Sequence, residues 1–239
     1  YYEHGVADYL AEITDGISLT PPVLWKIETK GRDREDLDDY KFKAEIAFCF
    51  AKSGSAEYYH NSSYLEYGGA PDKAVRTAFT YAIDKYIKGQ NKYNKNESKI
   101  SFADIADNLT IIINSASTQT SYENQTKKAI TNAFIAKALT EFMKENLEIY
   151  LTENAAVASQ IVSQVLVNKR ARESAERTKI DIKKKLTGTM DVSNRVEKFV
   201  PCRSKDPELR EVYIVEGDSA MSSCKLGRNA EFQAIIPVR

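Results

Sequence analysis

Glu216, Gly217, Asp218 and Ser219 follow directly on the apolar run Val212-Tyr213-Ile214-Val215. That order of residue types places a carboxylate where a strand stops and a turn begins, the position at which open α/β sheets bind ligands. Gly217 lets the backbone turn without a Cβ penalty, and Asp218 or Ser219 can cap the helix that follows. Glu216 offers hard oxygen donors, but Mg²⁺ wants several, so one glutamate cannot hold it alone. A second group with the right chemistry is Gln125-Thr126-Lys127. Lysine is a compact point charge, glutamine adds donors, and Thr126 stands at a predicted helix start, where free backbone N–H groups favour anions. Three residues alone assign nothing.

The elements that must hold these groups follow from periodicity. Val6 to Ile13 has an amphipathic helix pattern, and Val23 to Thr29 reads as a strand after Pro21-Pro22. From Tyr40 to Phe50, Tyr40, Phe42, Ala44, Ile46, Phe48 and Phe50 alternate with the residues between them, which predicts a strand with one buried face. Ala56 to Tyr59 reads as a short strand, Gly68-Gly69 as a turn, and Pro71 opens a helix to about Lys88. Lys92 to Lys99 is a polar loop, Ser101 to Asp107 a capped helical turn, and Leu109 to Asn114 a buried strand. Helices are expected from Thr126 to Asn146 and from about Ala155 to Lys185, the second becoming charged after Asn168. Strand Val212 to Val215, helix Ser219 to Leu226 and strand Phe232 to Ile236 close the chain. Two antiparallel-style strands before the helices, then a βαβ start, predict two units of different class.

Bulk composition narrows the field. Thirty-four basic and 34 acidic residues cancel, so a nucleic-acid contact would have to come from local clusters. Cys49, Cys202 and Cys224 are an odd, dispersed set without a CxxC pair, which reads as reduced thiols. No stretch approaches the roughly 18 to 20 apolar residues of a membrane span, and Tyr1-Tyr2-Glu3-His4 lacks the regions of a signal peptide. His4 and His60 have no neighbouring nucleophile pattern, and there is no P-loop, GxGxxG or HExxH. The absence of an initiator Met and the stop at Arg239 directly after an apolar run read as two cut ends.

The string Val215-Glu216-Gly217-Asp218-Ser219-Ala220, with Lys225-Leu226-Gly227-Arg228 and Phe232-Gln233-Ala234-Ile235-Ile236-Pro237, closely resembles the Toprim segment of bacterial type IIA DNA topoisomerase B subunits. Cys202-Arg203-Ser204-Lys205-Asp206-Pro207 resembles the family's approach to that strand. Asp107-Asn108-Leu109-Thr110-Ile111-Ile112-Ile113 followed by Gln125-Thr126-Lys127 resembles a strand and tripeptide of its transducer domain. Tyr2-Glu3-His4-Gly5-Val6 and Glu66-Tyr67-Gly68-Gly69-Ala70 are looser matches. Two departures stand out: Met221-Ser222-Ser223-Cys224 replaces Gly-Gly-Ser-Ala, and Ala230-Glu231 stands where the family carries basic residues. Losing cations there should weaken phosphate attraction.

The resemblance implies an α+β fold: a ribosomal protein S5 domain 2-like transducer domain over residues 1–168, a helical linker over 169–207, and the start of an α/β Toprim domain over 208–239. It gives Glu216 the role of general acid/base or Mg²⁺ ligand at the DNA cleavage site, with the remaining acids on an Asp-x-Asp strand beyond Arg239. Gln125 and Lys127 would touch the γ-phosphate of ATP, and Lys225 and Arg228 would meet DNA. The cofactors implied are ATP and Mg²⁺. The partners are DNA, an A subunit carrying the nucleophilic tyrosine, and a second B subunit in an A2B2 complex, in the cytoplasm at the nucleoid and away from membranes. Lys169, Arg170, Arg172 and Lys183-Lys184-Lys185 could line a DNA path or form a solvated face. The isolated chain is expected to show neither ATPase nor cleavage activity. Two other readings stay open: a degenerate paralogue serving as a scaffold, and another Toprim enzyme such as a primase or an OLD-family nuclease.

Overall fold

Strand β2 organises the first unit. The computed structural model describes Glu3 and residues 5–188 and 198–238, with side chains of the long helix through Lys183. Tyr2, His4, residues 189–197 of the expected linker and the side chains of Lys184 and Lys185 therefore lie outside the described residues. In chain order the first unit contains α1 (Val6–Ile13), β1 (Val23–Gly31), β2 (Tyr40–Phe50), β3 (Ser55–His60), β4 (Ser63–Tyr64), β5 (Gly68–Gly69) and α2 (Ala70–Gly89). It continues with α3 (Phe102–Ala106), β6 (Leu109–Ser117), β7 (Ala129–Ile130), α4 (Ala133–Glu153) and the start of α5 (Ala155–Gly188). The chain divides into compact units at Ser174/Ala175.

The main sheet has the order β1-β2-β6-β3-β4. β2 sits antiparallel between β1 and β6, whereas β3 runs parallel to β6. The two antiparallel strands expected before the helices are β1 and β2, and the parallel β3 makes the sheet mixed. β2 buries Tyr40, Phe42, Ala44, Ile46, Phe48 and Phe50, as its alternation requires. These residues share one core with Ala74, Ala78 and Phe79 of α2, Leu139 and Met143 of α4, and Val162 and Val165 of α5. Phe48 is gripped edge-on by Trp25 at 4.9 Å and Phe79 at 5.3 Å between ring centroids, the geometry aromatic pairs prefer. Past Glu45 the alternation fails, because Ala47 and Cys49 are buried too. The cause is α1, whose Leu10 closes a second cluster with Ala47, Cys49, Ala51 and Ile112 on the opposite face.

Two local expectations are corrected. Gly68-Gly69 is not simply a turn but strand β5, paired parallel with β7. Both glycines have positive φ, and a Cβ on Gly69 would lie 2.3 Å from the Ile130 carbonyl oxygen. Only glycine allows that approach. The helix expected from Thr126 starts at Ala133 and runs to Glu153. The residues before it are held in a hairpin that a helix could not contain.

The second unit, from Ala175, contains the end of α5, β8 (Glu211–Glu216), α6 (Gly217–Gly227) and β9 (Gln233–Val238). β8 and β9 pair in parallel through α6, a βαβ unit, and Val200 bridges to Ile235.

Candidate functional site

Gln125, Thr126 and Lys127 occupy the tip of a hairpin closed by hydrogen bonds from the Glu123 N–H to the Ala129 carbonyl (3.0 Å) and from the Thr131 N–H to the Ser121 carbonyl (2.8 Å). The tip is wound by Asn124. Its side-chain oxygen accepts from the Thr126 N–H (3.1 Å) and hydroxyl, and its carbonyl accepts from the Lys127 N–H (3.2 Å). Asn side chains favour such turns. Lys127 adopts φ 57°, a left-handed conformation that prevents continuation into a helix. The predicted helix start at Thr126, with its anion-attracting N–H groups, is thereby withdrawn. All three residues are exposed.

The two adjacent lysines are treated differently. Lys128 pairs with Glu66 and lies over the Tyr67 ring. Lys127 has no carboxylate partner among the described residues, and its ammonium lies 5.6 Å from the centre of the Tyr122 ring.

The base of the hairpin rests on buried polar groups. The Asn132 side chain accepts from the Ser121 N–H (2.8 Å) and donates to Asp33 (2.9 Å) and to the Tyr40 hydroxyl (3.0 Å). Asp33 also accepts from Tyr40 (2.9 Å) and from the Phe134 N–H (2.8 Å). Burial and the Asp33 carboxylate push the Tyr40 phenol well above its ordinary range, so it stays a neutral donor. The sequence reading missed Asn132 and Asp33. The local signal for Asn132 was its place before an apolar helical run, but its side chain joins this network and leaves the helix uncapped.

Glu216 ends β8 and stands immediately before α6, with Gly217 at φ 75° making the turn. Its carboxylate is exposed and has no hydrogen bond or ion pair among the described residues. Neither Asp218 nor Ser219 caps the helix as expected, because α6 begins at Gly217 and puts both in its first turn. Asp218 instead pairs with Lys198 at 2.5 Å. Lys225 is exposed in the last turn of α6. Arg228 is committed to structure: its Nη1 donates to the carbonyls of Pro201 (3.0 Å) and Gln233. No group of three metal-donor side chains occurs among the described residues.

Lys169 and Arg172 are drawn into ion pairs away from a solvated face, and Arg170 is exposed but paired. Lys169 is completely buried and bonds Glu97 (3.0 Å) and Glu173 (3.2 Å), while Arg170 adds a second cation to Glu97. Arg172 grips Asp104 through two nitrogens, at 2.7 and 3.1 Å, and Asp104 also closes a capping box with Ser101. These residues belong to the first unit, which extends beyond residue 168. Each of the three cations is thus paired with a carboxylate. His60 is buried against Ser115, Ser117 and Thr120, and burial lowers its pKa to about 4. It is a neutral core residue at pH 7. No helix among the described residues is long and apolar enough to cross a membrane.

Comparison with known proteins gives this geometry a context. A family model described as DNA gyrase B matches residues 5–180. The DNA gyrase B subunit of Streptococcus pneumoniae (serotype 4) is 31% identical over 242 residues, covering 100% of this chain and 36% of the relative. Its counterpart in Chlamydia muridarum is 32% identical over 243 residues, covering 100% and 29%. The chain thus spans about a third of the length of these relatives. Among solved structures, the 43K ATPase domain of Thermus thermophilus gyrase B superposes with a TM-score of 0.58 at 19% identity, covering 73% of this chain and 45% of that one. The topoisomerase IV ATP binding domain of Francisella tularensis gives 0.59 at 22%, covering 72% and 44%. These likenesses show a shared mixed α/β fold. With the family model matched across most of its length, the chain belongs to the DNA gyrase B family.

Proposed function

We propose that this chain is the part of an ATP-dependent type IIA DNA topoisomerase B subunit that couples ATP binding and hydrolysis to double-strand cleavage, passage and religation of DNA. The observation that carries the reading is the unneutralised Lys127 ammonium at the tip of a hydrogen-bonded hairpin. Such a group suits a terminal phosphate that is present in ATP and absent from ADP. Gln125 on the same tip supplies further donors. The first unit is read as the S5 domain 2-like transducer, a reading that rests on the resemblance of its Asp107 to Ile113 stretch and Gln125-Thr126-Lys127 to that domain. The second unit is read as the beginning of a Toprim domain, supported by its β8-Glu216-α6-β9 arrangement.

Loss of the γ-phosphate on hydrolysis removes its contact with Lys127, and only such a differential contact can shift the protein from one state to another. At the other end, Glu216 lies free at a strand end. It suits proton transfer to or from the scissile sugar–phosphate bond, or service as one Mg²⁺ ligand among several supplied elsewhere in the protein. Bound Mg²⁺ would stabilise developing negative charge on oxygen. Lys225 and the nitrogens of Arg228 not bound to carbonyls are the candidate phosphate contacts. DNA, the A subunit and a second B subunit are the proposed partners, at the nucleoid in the cytoplasm.

The test is Glu216→Gln in the whole protein with its A subunit. DNA cleavage is expected to fall by about a hundredfold or more, the scale of a lost general acid/base. Unaltered cleavage would remove Glu216 from the site. A second reading, a scaffold that has lost the chemistry, draws on Ala230-Glu231, where the family carries cations.

A further inference from the structure

We propose that Tyr122 is a positioning residue for Lys127, holding the ammonium ready for the terminal phosphate of ATP. The inference rests on the reading of Lys127 given above. It starts from a difference between neighbours on one loop. Lys128 is tied to the Glu66 carboxylate, so its charge is largely spent. Among the described residues Lys127 is held only by a ring face, at 5.6 Å. A carboxylate would neutralise the ammonium and occupy its N–H donors. An aromatic face attracts the charge through its quadrupole and leaves the donors free. This is the kind of restraint an anion sensor needs.

The ring itself is fixed. Tyr122 is partly buried against the main core, and its backbone bridges Ile130 across the hairpin. The backbone of Lys127 is fixed from the other side, by the Asn124 turn and a left-handed φ. With both ends restrained, the flexible part is the lysine stem. A free lysine stem loses about 1.5–2 kcal/mol of rotamer freedom when ordered by a ligand. A ring that already restricts the stem reduces that cost at the moment of binding, which is preorganisation.

The experiment measures the affinity of the whole protein for a non-hydrolysable ATP analogue and for ADP, in Tyr122→Leu, Tyr122→Phe and Tyr122→Trp. Tyr122→Leu should weaken the analogue about two- to fivefold, the scale of an exposed cation–π contact. Phe should stay near wild type and Trp should match or exceed it. ADP affinity should be the same in all, because ADP lacks the phosphate that Lys127 meets. A pure packing role would lower ADP and analogue together and would not favour Trp. The cycle with Lys127→Ala completes the test: in that background Tyr122→Leu should have no further effect. A Leu variant equal to wild type, or a Leu penalty that persists without Lys127, would overturn the role of Tyr122. An unchanged analogue affinity in Lys127→Ala alone would overturn the reading of the loop itself, and the role of Tyr122 with it.

Discussion

In the whole protein with its A subunit, Lys127→Ala is expected to lower ATP-dependent strand passage by about ten- to a hundredfold. A hydrogen bond to a charged group is worth about 1.5–3 kcal/mol, and each 1.4 kcal/mol is a factor of ten. The loop has no substitute for the lost charge. Lys128 is committed to Glu66 and Tyr67. The hairpin hydrogen bonds and the Asn132 network leave the backbone little freedom to bring another residue forward. The loss should concentrate on ATP rather than ADP, and strand passage measured over a range of ATP concentrations would show it. Full activity in Lys127→Ala would remove the loop from the nucleotide site.

Glu97→Ala should produce the largest loss of stability, about 3–5 kcal/mol, as expected when one partner of a buried ion pair is removed. Lys169 is fully buried, and Glu97 is its shortest ionic contact; Glu173 alone would remain. For a unit of this size the change corresponds to a fall in Tm of about 6–20 °C. The acid limb follows from the same pair. The hydrogen bond from Arg170 and the Lys169 charge lower the Glu97 pKa from 4.5 to about 2 in the folded state. A carboxylate whose folded pKa is depressed contributes stability above its unfolded pKa and loses that contribution as pH falls through the folded value. The Glu97 contribution should therefore be intact above about pH 4.5 and disappear by about pH 2. Asp104 acts in the same direction: Arg172 and Ser101 override the effect of burial and lower its pKa. Thermal unfolding of wild type and Glu97→Ala at pH 7 and near pH 2 would check both statements, with the two curves converging in acid. A persistent gap at low pH would contradict the ion-pair account.

The legible parts of the chain were those set by near neighbours. Tyr40 to Phe50 and Val6 to Ile13 match their elements end to end, because alternation and amphipathic spacing are local signals. Glu216 at a strand end was likewise readable from the glycine and the apolar run beside it. What failed depended on distant partners. Lys169 looked like a solvated charge because Glu97 lies 72 positions earlier in the chain. Arg172 is 68 positions from Asp104. The late start of α4 was hidden because Thr126 to Thr131 has helical composition, while Gly69 and Ser121 hold that stretch in a different pairing. The clamp that Arg228 forms on three backbone carbonyls likewise leaves no mark in sequence.

ATP-driven passage of DNA through DNA is the activity proposed for the whole protein. The most direct measurement is the linking number of a closed circular plasmid incubated with the whole protein and its A subunit, with and without ATP. A change in linking number that requires ATP and is diminished by Lys127→Ala is expected. A linking number that stays fixed with ATP present would contradict it and leave the scaffold reading in its place.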